Sequence, residues 1–339
     1  MARCYYTYDR PFALESGETL PSLRIAYDTY GTMNAARDNV VWVCHALTAD
    51  SDVAGWWPRS VERGRFLDPE RYFVVCANIL GSHYGTTGPL SPRPADGRAW
   101  FGDFPRITVR DMVRCHRLLA AHLGIERAAC LVGGSIGGFQ ALEWCVADPD
   151  FARRAVFIAT SAQAGAWVAA FDESQRMAIE ADPTFGSPCA DAGAAGLAAA
   201  RSIALLSYRN AATYDRTQAD AGRPASACFD RRASGYQRYQ GEKLCRRFDA
   251  YSYYRLTQAI DSHDVGRGRG GVAAALRSIR ARTLVAAVST DLLFSVGEHR
   301  AMADAIPGAE YRVIDSDYGH DGFLIEYEQV NRMMIDFMR

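Results

Sequence analysis

Residues 131–139 read Leu-Val-Gly-Gly-Ser-Ile-Gly-Gly-Phe, and a serine framed by two pairs of glycines restricts the local fold more than any other stretch. Upstream, 128–132 is an apolar run of strand length; downstream, Phe139, Ala141, Leu142, Trp144 and Cys145 recur at helical spacing. Ser135 therefore belongs on a strand-to-helix turn. Glycines on both sides let neighbouring segments approach and keep a strained turn clear of side chains, so the hydroxyl projects from the sheet edge as a nucleophile. The Ile136 N–H then faces a developing oxyanion. A Gly-rich turn of this kind can also cradle a phosphate, but neither a Gly-Lys-Ser/Thr ending nor the dinucleotide glycine spacing is present.

The chain around this turn has the rhythm of an α/β protein. The Ser16-Gly17 turn, followed by Leu23, Ile25 and Tyr27 alternating with Arg24, Ala26 and Asp28, predicts an antiparallel hairpin with one covered face. The continuous apolar run 40–44 predicts a strand deep in a parallel sheet. It ends in His45-Ala46-Leu47-Thr48, a strand-end loop that makes the Leu47 N–H a candidate second oxyanion donor and His45 an organiser of the loop. Strand 72–77 runs into the Gly-rich loop 78–89, whose small polar residues suit a cleft wall. Thr108 is the expected N-cap of a helix over 109–123, with His116 and His122 in its surface pattern, and 155–159 is a further strand.

From 163 to 279 no run resembles a central strand. Helices are expected over 170–181, 190–208, 231–248 and 250–260, punctuated by Pro183, Pro188 and Pro224, with a flexible Gly-rich return at 266–271. The many arginines between Arg201 and Arg269 read as a solvated helical surface. Strand character resumes at 283–288 and 311–314, and Phe323, Leu324, Tyr327, Val330, Met334, Phe337 and Met338 mark one closing amphipathic helix. The expected organisation is a doubly wound, mostly parallel sheet formed by 1–162 and 280–339, with 163–279 inserted as a helical lid.

At 339 residues with a formal net charge of −1, the chain has no global charge to attract nucleic acid or an anionic membrane. No run is long enough to span a bilayer, and the first six residues lack a signal-peptide apolar region, so a cytoplasmic location is expected. Nine scattered cysteines without a Cys-x-x-Cys pair suit buried thiols better than disulfides or a metal site.

A serine hydroxyl needs a base and a group that fixes the base. Asp291 lies just beyond the 283–288 strand, and His320 just beyond 311–314, on the rim expected for Ser135. The order Ser, Asp, His is that of the α/β-hydrolase fold. His45-Ala46-Leu47-Thr48, the loop from Asn78-Ile79-Leu80-Gly81 to Gly88-Pro89, the elbow, Tyr239-Gln240-Gly241-Glu242-Lys243, Arg247-Phe248-Asp249-Ala250 and Gly319-His320-Asp321 together resemble the homoserine O-acetyltransferase family. Ala49 stands where that family has glycine, and Ile136 and Phe139 where methionines are usual.

The resemblance implies ping-pong transfer of acetyl from acetyl-CoA, as co-substrate with no resident cofactor or metal, to L-homoserine, a step towards methionine. It implies Arg209 and Asp321 as partners of the homoserine carboxylate and ammonium, and a homodimer formed through the lid helices. Alternatives on the same scaffold are a succinyl donor, a serine acceptor, or plain ester hydrolysis.

Overall fold

The computed structural model describes residues 3–220, 222, 229 and 231–339; Met1, Ala2, Pro224 and Cys228 lie outside them. The first strands are β1 (Cys4–Tyr8), the short pair β2 (Phe12–Ala13) and β3 (Thr19–Leu20), and β4 (Leu23–Tyr30). Then come β5 (Val40–Cys44), α1 (Val53–Trp56), β6 (Phe73–Ala77), α2 (Val109–His122), β7 (Cys130–Gly134), α3 (Ile136–Ala147) and β8 (Arg154–Ile158). Among the described residues β2 and β3 pair only with each other, and the other strands join an eight-stranded sheet of order β1-β4-β6-β5-β7-β8-β9-β10, completed by β9 (Arg282–Val288) and β10 (Glu310–Ile314). The strands from β5 to β10 run parallel, while β4 is antiparallel to both neighbours.

The apolar runs form strands because both faces of the sheet are covered. Along β5, Val40, Trp42 and Cys44 enter one core cluster, and Val41 and Val43 enter the other. Cys44, Cys76, Cys115, Cys130 and Cys145 are buried as thiols, with burial pushing their pKa up. From β5 the chain steps outward to β6, but from β7 onward it steps the other way. The C-terminal ends of β5 and β7 therefore part at a switch point, where an open α/β sheet forms its crevice.

Between β8 and β9 lie α4 (Ala166–Glu180), α5 (Ala194–Tyr208), α6 (Ala211–Gln218), α7 (Arg232–Cys245), α8 (Ala250–Asp261) and α9 (Val272–Arg277). Helix α5 crosses α7 so closely that a Cβ on Gly241 would lie 2.6 Å from the Ala198 carbonyl oxygen. Asp249 caps α8 through the Ser252 N–H and also binds His83 Nδ1 at 2.8 Å, tying this helical segment to the Gly-rich loop after β6. After β9 come α10 (Val296–Ala305), α11 (Gly322–Ile325) and α12 (Tyr327–Met338). Among the described residues no helix is long and apolar enough to cross a membrane.

Several local expectations change. The Ser16-Gly17 turn does join an antiparallel pair, β2 and β3, but β4 has no wet face: it lies between β1 and β6, and Ala26 and Asp28 are buried as well. His116 is 1% exposed, not on the surface, because it lies four residues from Met112 on the buried face of α2. The return at 266–271 is pinned by Arg269, which forks onto the buried Glu143 of α3 at 2.6 and 2.7 Å. The closing helix is broken at Glu326, whose backbone leaves helical geometry and whose carboxylate accepts from Ser316.

Candidate active site

Ser135 stands between β7 and α3 at φ 58° and ψ −129°, backbone angles that L-residues rarely adopt and that persist only when surrounding packing fixes them. The packing here is backbone on backbone: a Cβ on Gly137 would lie 2.1 Å from the Cys44 carbonyl oxygen, so only glycine lets α3 start against the end of β5. Thr160 Oγ1 donates to the Ser135 carbonyl at 2.9 Å and holds the turn from the other side.

The strand-end loops after β9 and β10 bring His320 and Asp291 to Ser135. His320 Nε2 lies 2.9 Å from Ser135 Oγ, and its Nδ1 donates to Asp291 Oδ2 at 2.8 Å. The other Asp291 oxygen accepts the N–H groups of Leu293 and Phe294 at 2.8 and 3.2 Å. Thr290 ties the two loops, donating to the Ser316 carbonyl and accepting from the Gly319 N–H. Burial disfavours protonation of His320, but the charge and hydrogen bond of Asp291 outweigh it, and its pKa is raised above the usual 6.5.

Leu47 and Ile136 line a cavity of about 30 Å³ beside Ser135, and neither N–H makes a hydrogen bond to another described residue. Ile136 opens α3, where an N–H has no intrahelical acceptor. The Leu47 loop is held by His45, fully buried, whose Nδ1 donates to the Ala46 carbonyl and whose Nε2 accepts from the Ile79 N–H. Burial lowers its pKa to about 4, keeping it neutral and structural. Gln140 reinforces both donor segments, reaching the His45 and Ile136 carbonyls while His116 donates to its side-chain oxygen at 2.8 Å.

Ser135, His320, Leu47 and Asp321 open on a cleft of about 510 Å³, also lined by Asp50, Trp56, Tyr84, Arg201, Tyr208, Lys243 and Arg247. Arg209 sits behind this wall. Its Nη1 is 2.8 Å from Asp321 Oδ2, yet the buried Nη1 group is not aligned to donate a hydrogen bond. Asp321 precedes α11 but makes no side-chain capping bond; its carboxylate lies against Arg209 and lines the cleft. The Gly-rich loop is shared: Tyr84 faces this cleft, while Ser82, His83 and Gly85 line a separate cavity of about 330 Å³.

Asp172, which lines the small cavity, carries no signal in the sequence, and Arg201, expected on a solvated helical surface, is half-buried in the lining of the cleft instead. Arg201 is seven residues from Tyr208, the spacing of one helix face. That spacing cannot say which face meets the cleft. Among the described residues there is no cluster of three or more His, Cys, Asp or Glu placed to hold a metal.

The model of the alpha/beta hydrolase fold matches residues 39–327. A homoserine O-acetyltransferase of Cyclobacterium marinum is 45% identical over 325 residues, covering 96% of this chain and 92% of that protein. The solved homoserine O-acetyltransferase from Bacillus anthracis superposes with a TM-score of 0.93 at 24% identity, covering 100% of this chain and 97% of that one. Esterase E22 superposes with a TM-score of 0.91 at 21% identity over the whole of both chains. At those identities the two structures speak for the fold alone.

Proposed function

The chain belongs to the homoserine O-acetyltransferase family of α/β-hydrolases, and from that premise we propose that it moves an acetyl group from acetyl-CoA to the hydroxyl of L-homoserine through acyl-Ser135. The observation that carries this reading is the hydrogen-bonded chain Ser135–His320–Asp291 at a cleft that also presents Asp321, with Arg209 behind it.

Ser135 Oγ attacks the thioester carbon as His320 Nε2 takes its proton. The carbonyl oxygen, now anionic, is held by the N–H groups of Leu47 and Ile136. Collapse breaks the C–S bond, and His320 returns the proton to the leaving sulfur. In the second half His320 takes the proton of the homoserine hydroxyl, whose oxygen attacks the acyl carbon; the bond to Ser135 Oγ breaks, and His320 returns the proton to that oxygen. A His320 pKa raised above its usual 6.5 by Asp291 suits a group that accepts and then returns a proton.

Acceptor recognition rests on opposite charges. An amino acid brings one carboxylate and one ammonium, matching Arg209, whose buried Nη1 donates to no described residue, and Asp321. The cavity beside Ser135 favours acetyl over succinyl. At about 30 Å³ it suits a methyl group, and among the described residues its lining includes Asp172 but no cation for a second acyl carboxylate. We assign α4 to α9 as the lid that keeps water from the acyl-enzyme, and the exposed Trp167, Met177 and Leu206 of α4 and α5 to a homodimer contact.

The test is to mix the protein with acetyl-CoA or succinyl-CoA and either homoserine or serine, then identify the ester by mass. O-acetylhomoserine is the expected product. Acid and free CoA formed at the same rate with and without homoserine would instead identify a hydrolase.

A further inference from the structure

Most arginines in the helical segment are spoken for. Arg216 pairs with Asp317, Arg267 with Glu15, and Arg269 with Glu143. The cleft above Ser135 differs. It is lined by three cations, Arg201 on α5, Lys243 on α7 and Arg247 just beyond α7. None of the three makes an ion pair with a described carboxylate, and Arg247 instead donates to neutral oxygens, the Thr48 carbonyl and the Tyr84 hydroxyl, both at 2.5 Å.

The acids of the same cleft are already engaged: Asp50 with Arg3, Asp52 with the Tyr30 hydroxyl, and Asp321 with Arg209. Lys243 and Arg247 are exposed, whereas Arg201 is half-buried with its guanidinium 5.4 Å from the Tyr208 ring centroid. The lining of the cleft thus carries three positive charges that pair with no described carboxylate.

We propose that Arg201, Lys243 and Arg247 form the phosphate-binding wall of the cleft and take the anionic nucleotide end of the acyl-CoA donor. The inference rests on the acyl-CoA reading of the site. It divides the ligand by chemistry: the neutral thioester end reaches Ser135, and the pyrophosphate and 3′-phosphate meet the cationic wall. Arg247, fixed by Thr48 and Tyr84, is pre-oriented next to the loop that carries the Leu47 amide. Binding of the nucleotide and ordering of that loop are thereby coupled through one side chain.

The experiment compares acetyl-CoA with S-acetyl-pantetheine, which keeps the thioester and loses every phosphate, using formation of acyl-Ser135 by quench and mass analysis. The wild type should prefer acetyl-CoA, and the preference should shrink as salt is raised across the range where the Debye length falls from about 10 Å to about 3 Å. Lys243→Ala should lower the ratio of kcat/KM for acetyl-CoA over acetyl-pantetheine by about threefold, as for one exposed charge pair. Lys243→Glu should lower it further, and Arg201→Gln should add to either.

The exposed Lys243 side chain makes no hydrogen bond or ion pair with a described residue, so its replacement leaves packing intact. Equal wild-type efficiency with both thioesters, or an unchanged ratio in Lys243→Glu, would overturn the phosphate wall while leaving acetyl transfer standing. Failure of both thioesters to acylate Ser135, with acylation by a simple acetyl ester, would overturn the acyl-CoA reading and this inference with it.

Discussion

Replacing Asp291 with asparagine tests the relay at one atom. The two backbone donors to Asp291 Oδ1, Leu293 N–H at 2.8 Å and Phe294 N–H at 3.2 Å, require an oxygen at that position. Asparagine must therefore place its oxygen there and its NH₂ group towards His320 Nδ1, now 2.8 Å from Oδ2. An NH₂ donor facing Nδ1 forces the ring proton onto Nε2, which then points a hydrogen at Ser135 and cannot accept one. The fold survives because the volume and both backbone bonds are kept, but acylation should fall about 10³–10⁴-fold, or roughly 4–5.5 kcal/mol of barrier.

The pH profile of the same variant gives an independent sign. His320 acts as a base only when unprotonated, so acylation rises with pH through its pKa, which in the wild type is raised above 6.5. Burial is the largest single influence and lowers that pKa; the Asp291 charge and hydrogen bond overcome it. With Asp291 neutral, burial is opposed only by the Asp321 charge, and the acid limb must move to lower pH as the plateau drops. Rapid-quench measurement of CoA released in a single turnover from pH 5 to 9 reads both effects. A plateau within tenfold of wild type, or a limb that moves to higher pH, refutes the assigned geometry.

Ser135→Ala should abolish the acetylated active-site peptide while keeping the native circular dichroism, whereas Ser135→Gly should also raise the melting temperature. Glycine relieves the φ 58° strain, a gain of about 1 kcal/mol, and calorimetry showing no increase would mean the elbow is unstrained. Initial rates with homoserine varied at several acetyl-CoA levels should give parallel double-reciprocal lines, as expected for one acyl site used in turn; intersecting lines without a CoA burst would point to direct transfer. Asp321→Asn should leave that burst near wild type but reduce kcat/KM for homoserine about tenfold or more, the loss of one charge-assisted contact. Unchanged homoserine kinetics would remove Asp321 from the acceptor site.

The parallel strands could be read from the chain because burial on two faces leaves an unbroken apolar run, as in β5 and β7. The edge strand β1 could not, since Cys4–Tyr8 is largely exposed and carries no such run. Ser135, Asp291 and His320 each stand at the end of a recognisable strand, so topology alone carries them to one rim. His116 is hidden in the sequence for a different reason. A polar side chain on an apolar helix face is indistinguishable from a surface residue until its partner is known, and its partner, Gln140, comes from α3, 24 residues away.

The cationic wall shows where local patterns lose their power. Arg201 and Tyr208 share a face of α5, and Lys243 lies in the last turn of α7 with Arg247 just beyond its end, yet helical spacing relates residues only within one helix. Whether those faces meet a cleft or solvent depends on how α5 crosses α7, and that crossing is permitted by a hydrogen atom in place of a side chain at Gly241. A glycine inside a predicted helix reads only as a weak helix former, because the close approach it permits lies outside its own helix. The strand ends set the nucleophile and its base through the sheet. The recognition of the donor instead depends on contacts between helices, so a substitution at Gly241 would disturb the phosphate wall while leaving Ser135, His320 and Asp291 in register.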